Sequence, residues 1–121
     1  MSQRILIVED QEDLRDILRY ALEGAGYKVV EAVNGADGVA KAEAERPDLV
    51  LMDIQMPVLD GYEATRRIKA QPALAKIPIL AVTSYALSGD EDKAKAAGCD
   101  GYVTKPFSPR DLLARIRSFI G

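Results

Sequence analysis

Short apolar runs without strict alternation limit the possible folds of this chain more than any other feature of its sequence. Four such runs lie at residues 5–8 (ILIV), 49–52 (LVLM), 78–82 (PILAV) and 101–104 (GYVT), the last of them the weakest. A strand covered on both faces is apolar at nearly every position, whereas a strand with one solvated face alternates. The runs therefore predict buried strands of a parallel sheet. A more mixed run at 27–33 predicts a further strand at an edge.

Helical patterns fill the spaces between these runs. In the first predicted helix, apolar residues follow the i, i+3, i+4, i+7, i+8 spacing, which predicts one buried face. This face is formed by Leu14, Ile17, Leu18, Ala21 and Leu22. Segments 35–47, 60–72 and 87–99 predict three more helices, the last of them with only alanines on its inner face. The final helix presents Leu112, Leu113, Ile116, Phe119 and Ile120 on one face. This order predicts an α/β fold, a doubly wound five-stranded parallel sheet with helices on both faces.

Composition narrows the class of protein. A chain of 121 residues predicts one domain over residues 1–121, with room for a hydrophobic core. The net charge of −3 argues against general nucleic-acid binding, because no basic surplus is present to neutralise phosphates. The single cysteine fits a reducing compartment, and the apolar run at the N-terminus is too short for a signal peptide or a membrane span. We expect a cytoplasmic protein without a membrane partner or a second, output domain.

Polar side chains stand where the predicted strands end. The first strand is followed by Glu9 and Asp10, the third ends at Asp53, the fourth at Thr83, and the fifth leads to Lys105. In an open doubly wound sheet, ligands bind beyond the carboxyl ends of the strands. We therefore expect three carboxylates, one hydroxyl and one ammonium to meet at one edge of the sheet.

This set of side chains suits one kind of chemistry. Three neighbouring carboxylates repel one another, so a positive charge must accompany them at neutral pH. Mg²⁺ takes carboxylate oxygens and bridges them to a phosphate, while lysine and threonine bind phosphate oxygens. A carboxylate nucleophile between a metal ion and a lysine can accept a phosphoryl group. The sequence therefore predicts an aspartyl-phosphate site.

The motifs VED (8–10), MDIQMP (52–57), VTS (82–84) and KP (105–106) together resemble the receiver domain of two-component response regulators, the family that includes the chemotaxis regulator CheY. The resemblance covers the whole chain, in order and without large insertions. It implies the flavodoxin-like strand order 2-1-3-4-5 with five helices. Within the family, the sequence is similar to single-domain receivers of the DivK type and to the receiver modules of hybrid kinases.

The resemblance also implies roles for the residues around the metal. Asp53 matches the phosphoacceptor, and Asp10 matches the carboxylate that binds Mg²⁺ directly. Glu9 matches a neighbour that acts through a metal-bound water, a position where many members carry Asp. Gln55 matches the position whose backbone carbonyl completes the metal shell. The Lys105–Pro106 bond matches one that is typically cis in receivers.

Further roles concern the phosphoryl group and the signal. Thr83 and Lys105 match the two phosphate-contacting residues. Thr83 and Tyr102 match a pair that couples phosphorylation to the surface formed by the fourth helix, the fifth strand and the fifth helix. Ser84 matches a position that requires a small residue, and Tyr85, beside the path of the attacking water, is expected to slow hydrolysis.

The partners follow from the same resemblance. The chain contains no histidine, so the phosphoryl group must come from a partner histidine kinase or histidine phosphotransfer protein. The donor is expected to meet the edge that carries the site together with the first helix, and a downstream protein target is expected to read the output surface. A receiver phosphorylates and dephosphorylates itself slowly and is not a multiple-turnover enzyme.

Other interpretations of the same residues stay open. Asp53 alone would most often be a turn residue or a helix N-cap. An aspartate-nucleophile phosphatase of the haloacid dehalogenase type would need a second acid where Gln55 stands. A degenerate or excised receiver would act only as a protein-interaction module. Cys99 is expected to be a small buried residue without reactivity.

Overall fold

The computed structural model describes residues 3–83 and 90–120. Strands and helices alternate along these ranges in the order β1 (Arg4–Val8), α1 (Glu12–Gly24), β2 (Lys28–Ala32), α2 (Gly35–Glu45), β3 (Leu49–Asp53), α3 (Gly61–Lys69), β4 (Ile79–Thr83), α4 (Asp90–Ala97), β5 (Gly101–Thr104) and α5 (Pro109–Ile120). The strands form one parallel sheet in the order β2-β1-β3-β4-β5. Both the predicted fold class and the implied strand order are confirmed, and the ends of each strand lie within one residue of the prediction.

The middle of the sheet supplies most of the core. Strands β3 and β4 are buried at every position, and β1 is buried at every position after its first residue. The predicted edge position of the 27–33 segment is confirmed by β2. The prediction that residues 101–104 are covered on both faces was wrong, since only Val103 of β5 is buried. The strand lies at the other edge of the sheet, as the implied strand order requires. An edge strand has one neighbour, so a residue such as Gly101 stays partly open to solvent.

Alternation along the strands divides the core into two layers. One layer lies between the sheet and the helices α1 and α5, and it contains Ile5, Ile7, Leu49, Leu51, Leu80, Val82, Leu112 and Ile116. The other lies on the side of α2, α3 and α4, and it contains Leu6, Val8, Val50, Met52, Ile79, Ala81, Ala42, Ala64 and Ala94. Because successive side chains of a strand point to opposite faces, continuous apolar runs serve both layers at once.

The apolar faces of the outer helices are narrower than their sequence patterns predict. Leu18 and Leu22 of α1 are buried, but Ile17 is 60% exposed. In α5, Leu112 and Ile116 are buried, whereas Phe119 is 37% exposed. The predictions that Ile17 and Phe119 are buried were therefore wrong. Each helix contacts the sheet along one line, and side chains beside that line remain partly exposed to solvent.

Helix α4 is held by small side chains. Of its described side chains, Ala94 and Ala97 are buried, and the remainder of the segment DEDKAKAA is polar or exposed. This confirms the expected alanine face. Burying two methyl groups removes far less apolar area from water than the burial of Leu112 and Ile116 in α5, so packing stabilises α4 less.

Candidate functional site

Three carboxylates meet at the carboxyl end of the sheet. One oxygen from each of Glu9, Asp10 and Asp53 lies within 4.8 Å of the others. Glu9 and Asp53 are only 2% and 4% exposed, whereas Asp10 is exposed. The convergence predicted from the strand ends is therefore present. Since carboxylate oxygens are the ligands that hard divalent cations prefer, this cluster could hold a metal ion.

The strand pattern explains why two of these carboxylates are buried. Side chains along a strand alternate between the faces of the sheet, so Glu9 follows Ile7 and Asp53 follows Leu51 toward the side of α1 and α5. The Glu9 N–H also continues the ladder, donating to the carbonyl of Ala32 at 3.1 Å. Strand pairing thus continues past the last apolar residues, and both carboxylates lie buried at the carboxyl end of the sheet.

Lys105 supplies a positive charge inside the cluster. Its Nζ lies 3.2 Å from Glu9 Oε1 and 3.8 Å from Asp53 Oδ1. The backbone holds Lys105 in place, because its N–H donates to the carbonyl of Thr83 at 2.6 Å. The Lys105–Pro106 bond is cis, as the resemblance implied.

Backbone donors fix the orientation of the two buried carboxylates. The Gln55 N–H donates to Asp53 Oδ1 at 3.1 Å, and the Gln11 N–H donates to Glu9 Oε2 at 3.1 Å. Asp53 is further enclosed by the start of α3, because a Cβ added to Gly61 would lie 2.3 Å from the Asp53 carbonyl oxygen. Only glycine permits that approach, so α3 begins directly against the backbone of Asp53.

The electrostatics of the cluster favour an added cation. The pKa of Glu9 is raised to about 7, chiefly by burial and to a lesser extent by the charge of Asp53, against the lowering effects of the Gln11 N–H and Lys105. Burial also raises the pKa of Asp53, against the lowering effect of Lys105. One ammonium therefore does not compensate these carboxylates in full, and a bound divalent cation would stabilise their charged forms.

Thr83 has a partner that the sequence did not reveal. The hydroxyl lies on a buried residue at the end of β4, and the Gln55 side-chain amide donates to its Oγ1. Twenty-eight positions separate these residues, so local sequence patterns gave no sign of the contact. Gln55 therefore touches two parts of the site, Asp53 through its backbone N–H and Thr83 through its side chain.

The predicted coupling residues share one face of the sheet. Thr83 pairs with Thr104, and Ala81 pairs with Tyr102, in the register of β4 and β5. The two pairs lie two positions apart along each strand, so all of their side chains point to the same face of the sheet, the face covered by α3 and α4. Tyr102 packs against the apolar layer that contains Ala94 of α4. Two residues with predicted roles, Ser84 and Tyr85, lie outside the described ranges.

Cys99 takes no part in this cluster. Its thiol is buried, lies 3.7 Å from the Thr65 hydroxyl and has a pKa raised by burial. This confirms the expectation of a small buried residue. A thiol with a raised pKa is also a poor nucleophile at neutral pH, which agrees with the expected lack of reactivity.

Comparison with known proteins identifies related chains. The family model described as the response regulator receiver domain matches residues 5–117. The polar-differentiation response regulator DivK of Brucella anthropi is 38% identical over 121 residues, which cover 100% of this chain and 98% of that protein.

Solved structures give the same result. The chemotaxis protein CheY4 of Vibrio cholerae has a TM-score of 0.94 and 31% identity, covering 98% of this chain and 99% of that one. The receiver domain of the sensor histidine kinase PA1611 from Pseudomonas aeruginosa PAO1, solved with a magnesium ion coordinated in its active site cleft, has a TM-score of 0.92 and 40% identity, covering 100% and 99%. Among the described residues of the present chain, no helix has the length and apolar character needed to cross a membrane.

Proposed function

Because this chain belongs to the response regulator receiver domain family, we propose that it accepts a phosphoryl group on Asp53 in a Mg²⁺-dependent reaction and signals by changing its protein-binding surface. The family acts in two-component signalling, which implies a histidine kinase partner. A stand-alone receiver is the form we propose, by analogy with DivK, which this chain matches over nearly its whole length.

One observation carries this proposal, the buried position of Asp53 between two other carboxylates and a lysine. A carboxylate that only capped a helix would be destabilised by the charges of Glu9 and Asp10 within 4.8 Å. Burial of like charges costs free energy unless a ligand compensates it. Binding of a cation and a phosphoryl group by this cluster would explain why the protein tolerates that free-energy cost.

The residues present fit a magnesium ion. Asp10 and Asp53 would ligate it through carboxylate oxygens, Gln55 through its backbone carbonyl, and Glu9 through a bound water. When bound, Mg²⁺ would offset the negative charge of the transferring phosphoryl oxygens.

The transfer itself needs one nucleophilic oxygen and one leaving group. A carboxylate oxygen of Asp53 attacks phosphorus, and the bond between phosphorus and the imidazole nitrogen of the donor breaks. The electron pair of that bond stays on the imidazole. The ammonium of Lys105 and the hydroxyl of Thr83 then bind phosphoryl oxygens, while the bond from Gln55 orients Thr83 before transfer.

The signal would leave the site through the shared face of β4 and β5. When the Thr83 hydroxyl moves to the phosphoryl group, space opens on the side of the sheet that Tyr102 also occupies. Tyr102 can then turn inward and change the surface of α4, β5 and α5. The small buried area of α4 supports this, since a weakly packed helix shifts at a lower free-energy cost than α5.

The donor would dock beside the site on α1. Ile17 and Tyr20 are exposed there. Together with Phe107 of the β5–α5 loop and Pro109 at the start of α5, Ile17 lines an apolar groove that reaches Lys105, and Tyr20 lines an adjoining groove. An apolar surface next to the phosphoacceptor suits a helical partner that presents its phosphohistidine to Asp53.

The first test is the intact mass of the protein after incubation with Mg²⁺ and acetyl phosphate. We expect one added phosphoryl group, which is lost in Asp53→Asn and in the presence of a chelator. Asp48→Asn is the matched control, because Asp48 precedes the same strand at its opposite end, where its Oδ2 accepts a hydrogen bond from the Arg4 N–H.

A negative result has a second check. If hydrolysis is fast, no added mass will accumulate, but beryllofluoride, a stable mimic of the phosphoryl group, will still bind. A protein that neither gains mass nor binds beryllofluoride would be a degenerate receiver that acts only through protein interactions. Multiple turnover on a small phosphate ester would instead indicate a phosphatase.

A second form of the proposal concerns the length of the natural protein. The 40% identity with the receiver of a sensor histidine kinase favours a receiver excised from a longer kinase as the alternative to a stand-alone regulator. In that form the donor would be the kinase's own histidine. Phosphoryl transfer to Asp53 would be unchanged.

A further inference from the structure

The metal cluster contains one exposed carboxylate whose direction must be set by the backbone. Asp10 follows β1 and, unlike Glu9 and Asp53, is exposed. The peptide bond between Glu9 and Asp10 is planar, so the orientation of the Glu9 carbonyl also fixes the direction of the Asp10 N–H and the position of the Asp10 Cα, from which the side chain extends. Whatever holds the Glu9 carbonyl therefore influences where the Asp10 carboxylate points.

Arg15 holds that carbonyl. Its Nη1 donates to the Glu9 carbonyl oxygen at 2.8 Å, across the first turn of α1. Its Nε lies 3.6 Å from Glu31 Oε1 on β2, and the Arg15 side chain is only 13% exposed. The guanidinium therefore joins three elements, since the loop after β1, the helix α1 and the strand β2 all meet at this one side chain.

We propose that Arg15 is a positioning residue for the metal site, which fixes the Glu9–Asp10 peptide so that the Asp10 carboxylate faces Asp53. This inference rests on the proposed function, because it concerns the same Mg²⁺ site. A planar guanidinium is suited to the task, since its fork can bind a carbonyl with one N–H and a carboxylate with another while keeping both in fixed relation.

The remaining polar groups of Glu9 are held by other residues. Its N–H donates to the Ala32 carbonyl, Oε2 accepts from the Gln11 N–H, and Oε1 faces Lys105. Among these described contacts of Glu9, Arg15 makes only the hydrogen bond to the carbonyl oxygen. That carbonyl belongs to the peptide that leads to Asp10. Loss of Arg15 would therefore leave Glu9 bound to its strand, while the peptide that leads to Asp10 loses the side-chain donor on its carbonyl.

Arg19 provides a matched control on the same helix. Its Nη1 donates to Glu31 Oε2 at 3.2 Å, so it shares a carboxylate with Arg15. Its described contacts are with Glu31, Asp16 and Glu23, none of them in the metal cluster. A role in fastening α1 to β2 is common to both arginines, whereas the contact with the Glu9 carbonyl belongs to Arg15.

The experiment measures Mg²⁺ binding by isothermal titration calorimetry at pH 8 in the wild-type protein, Arg15→Gln, Arg15→Lys and Arg19→Gln. We expect Arg15→Gln to raise the Mg²⁺ Kd about tenfold, as loss of an outer-shell partner commonly does. Arg15→Lys, which keeps a donor but not the fork, should fall between Arg15→Gln and wild type. Arg19→Gln should stay within about twofold of wild type.

Phosphorylation by acetyl phosphate gives a second readout. The rate in Arg15→Gln should be reduced at low Mg²⁺ and should return to the wild-type maximum at saturating Mg²⁺. A purely structural effect would lower the maximum in proportion to the unfolded fraction, which thermal unfolding of each variant reports. If Arg15→Gln does not fold, the comparison of Arg15→Lys with Arg19→Gln decides the question.

Two results would overturn the inference. One is an Arg15→Gln or Arg15→Lys protein that is folded and binds Mg²⁺ as tightly as wild type. The other is an Arg19→Gln protein that loses as much affinity as the Arg15 variants. If the wild-type protein itself bound no Mg²⁺, the proposed function would fail, and the role of Arg15 would fail with it.

Discussion

The two ends of the sheet each contain a partly buried lysine, and the two lysines are paired very differently. At the amino end, Lys69 Nζ donates to two loop carbonyls at 2.7 and 3.0 Å and to Asp100 Oδ2 at 2.9 Å. At the carboxyl end, Lys105 Nζ lies 3.2 Å from Glu9 and 3.8 Å from Asp53, with the exposed Asp10 beside them. The first lysine meets one carboxylate and neutral oxygens, while the second meets an excess of negative charge.

This difference separates a structural contact from a candidate binding site. Asp100 also accepts from the Ile79 N–H at 2.8 Å, so the amino-end pair joins α3 to the starts of β4 and β5 with its charges matched. The carboxyl-end group has more carboxylates than cations and two raised carboxyl pKa values. An arrangement that is under-compensated in the free protein fits the proposed binding of a cation.

The largest effect is expected from Lys105→Met. Removal of the ammonium should lower the rate of phosphorylation by acetyl phosphate by about 100-fold, because a preorganised charge at the transferring group is lost. The free energy of unfolding at neutral pH should also fall, because the buried carboxylates of Glu9 and Asp53 would lose the ammonium that partly compensates them. Intact mass at timed intervals measures the rate, and a rate within about tenfold of wild type would contradict the assigned role.

The counterpart is Lys69→Met at the other end. It leaves two carbonyls and Asp100 without their charged donor, so the free energy of unfolding should fall by about 2 kcal/mol. The phosphorylation rate of the folded protein should be unchanged. Urea unfolding and the same mass assay test both halves. Loss of activity in a fully folded Lys69→Met protein would show that the two ends are not independent.

A third prediction uses pH to distinguish the ends. The pKa of Glu9 is about 7 in the folded protein and near 4.5 when unfolded, so the folded state binds more protons between these values and stability falls as pH rises from about 4.5 to about 7. Without Mg²⁺, Glu9→Gln should therefore stabilise the protein at pH 8 by about 1 to 3 kcal/mol and have little effect at pH 4.5.

Thermal or urea unfolding of wild type and Glu9→Gln across this range tests the prediction. Mg²⁺ added to the wild-type protein at pH 8 should give stabilisation of the same sign, because it compensates the same carboxylates. The prediction is wrong if the stability of Glu9→Gln depends on pH in the same way as that of the wild type. Ionisation of Glu9 would then cost little free energy in the folded protein.

The smallest effect is expected from a surface pair at the amino end. Arg4 Nη1 lies 3.7 Å from Glu45 Oε2, and both side chains are about two-fifths exposed. Glu45→Gln should change the free energy of unfolding by less than about 0.5 kcal/mol, because exposed ion pairs are screened by water. This variant also controls for net charge, since it removes one negative charge as Glu9→Gln does. An effect as large as that of Glu9→Gln would attribute the latter to overall charge rather than to burial.

Much of the fold and part of the site could be predicted from local patterns. Continuous apolar runs indicated strands covered on both faces, and their order with the helices indicated a parallel sheet. Strand ends in such a sheet meet at one edge, so Glu9, Asp10, Asp53 and Lys105 could be placed together before any distance was known. These conclusions depend on periodicity and topology, which are properties of short segments and their order.

Tertiary structure alone decided which side chains meet within that frame. The patterns placed Ile17 in the core, but the line along which α1 touches the sheet leaves it exposed. The contact of Gln55 with Thr83 and that of Arg15 with the Glu9 carbonyl were not predicted, because each depends on the separation of groups from different elements to within about an ångström. Hydrophobic spacing determines which face of an element is buried, whereas hydrogen bonds between elements require the folded geometry itself.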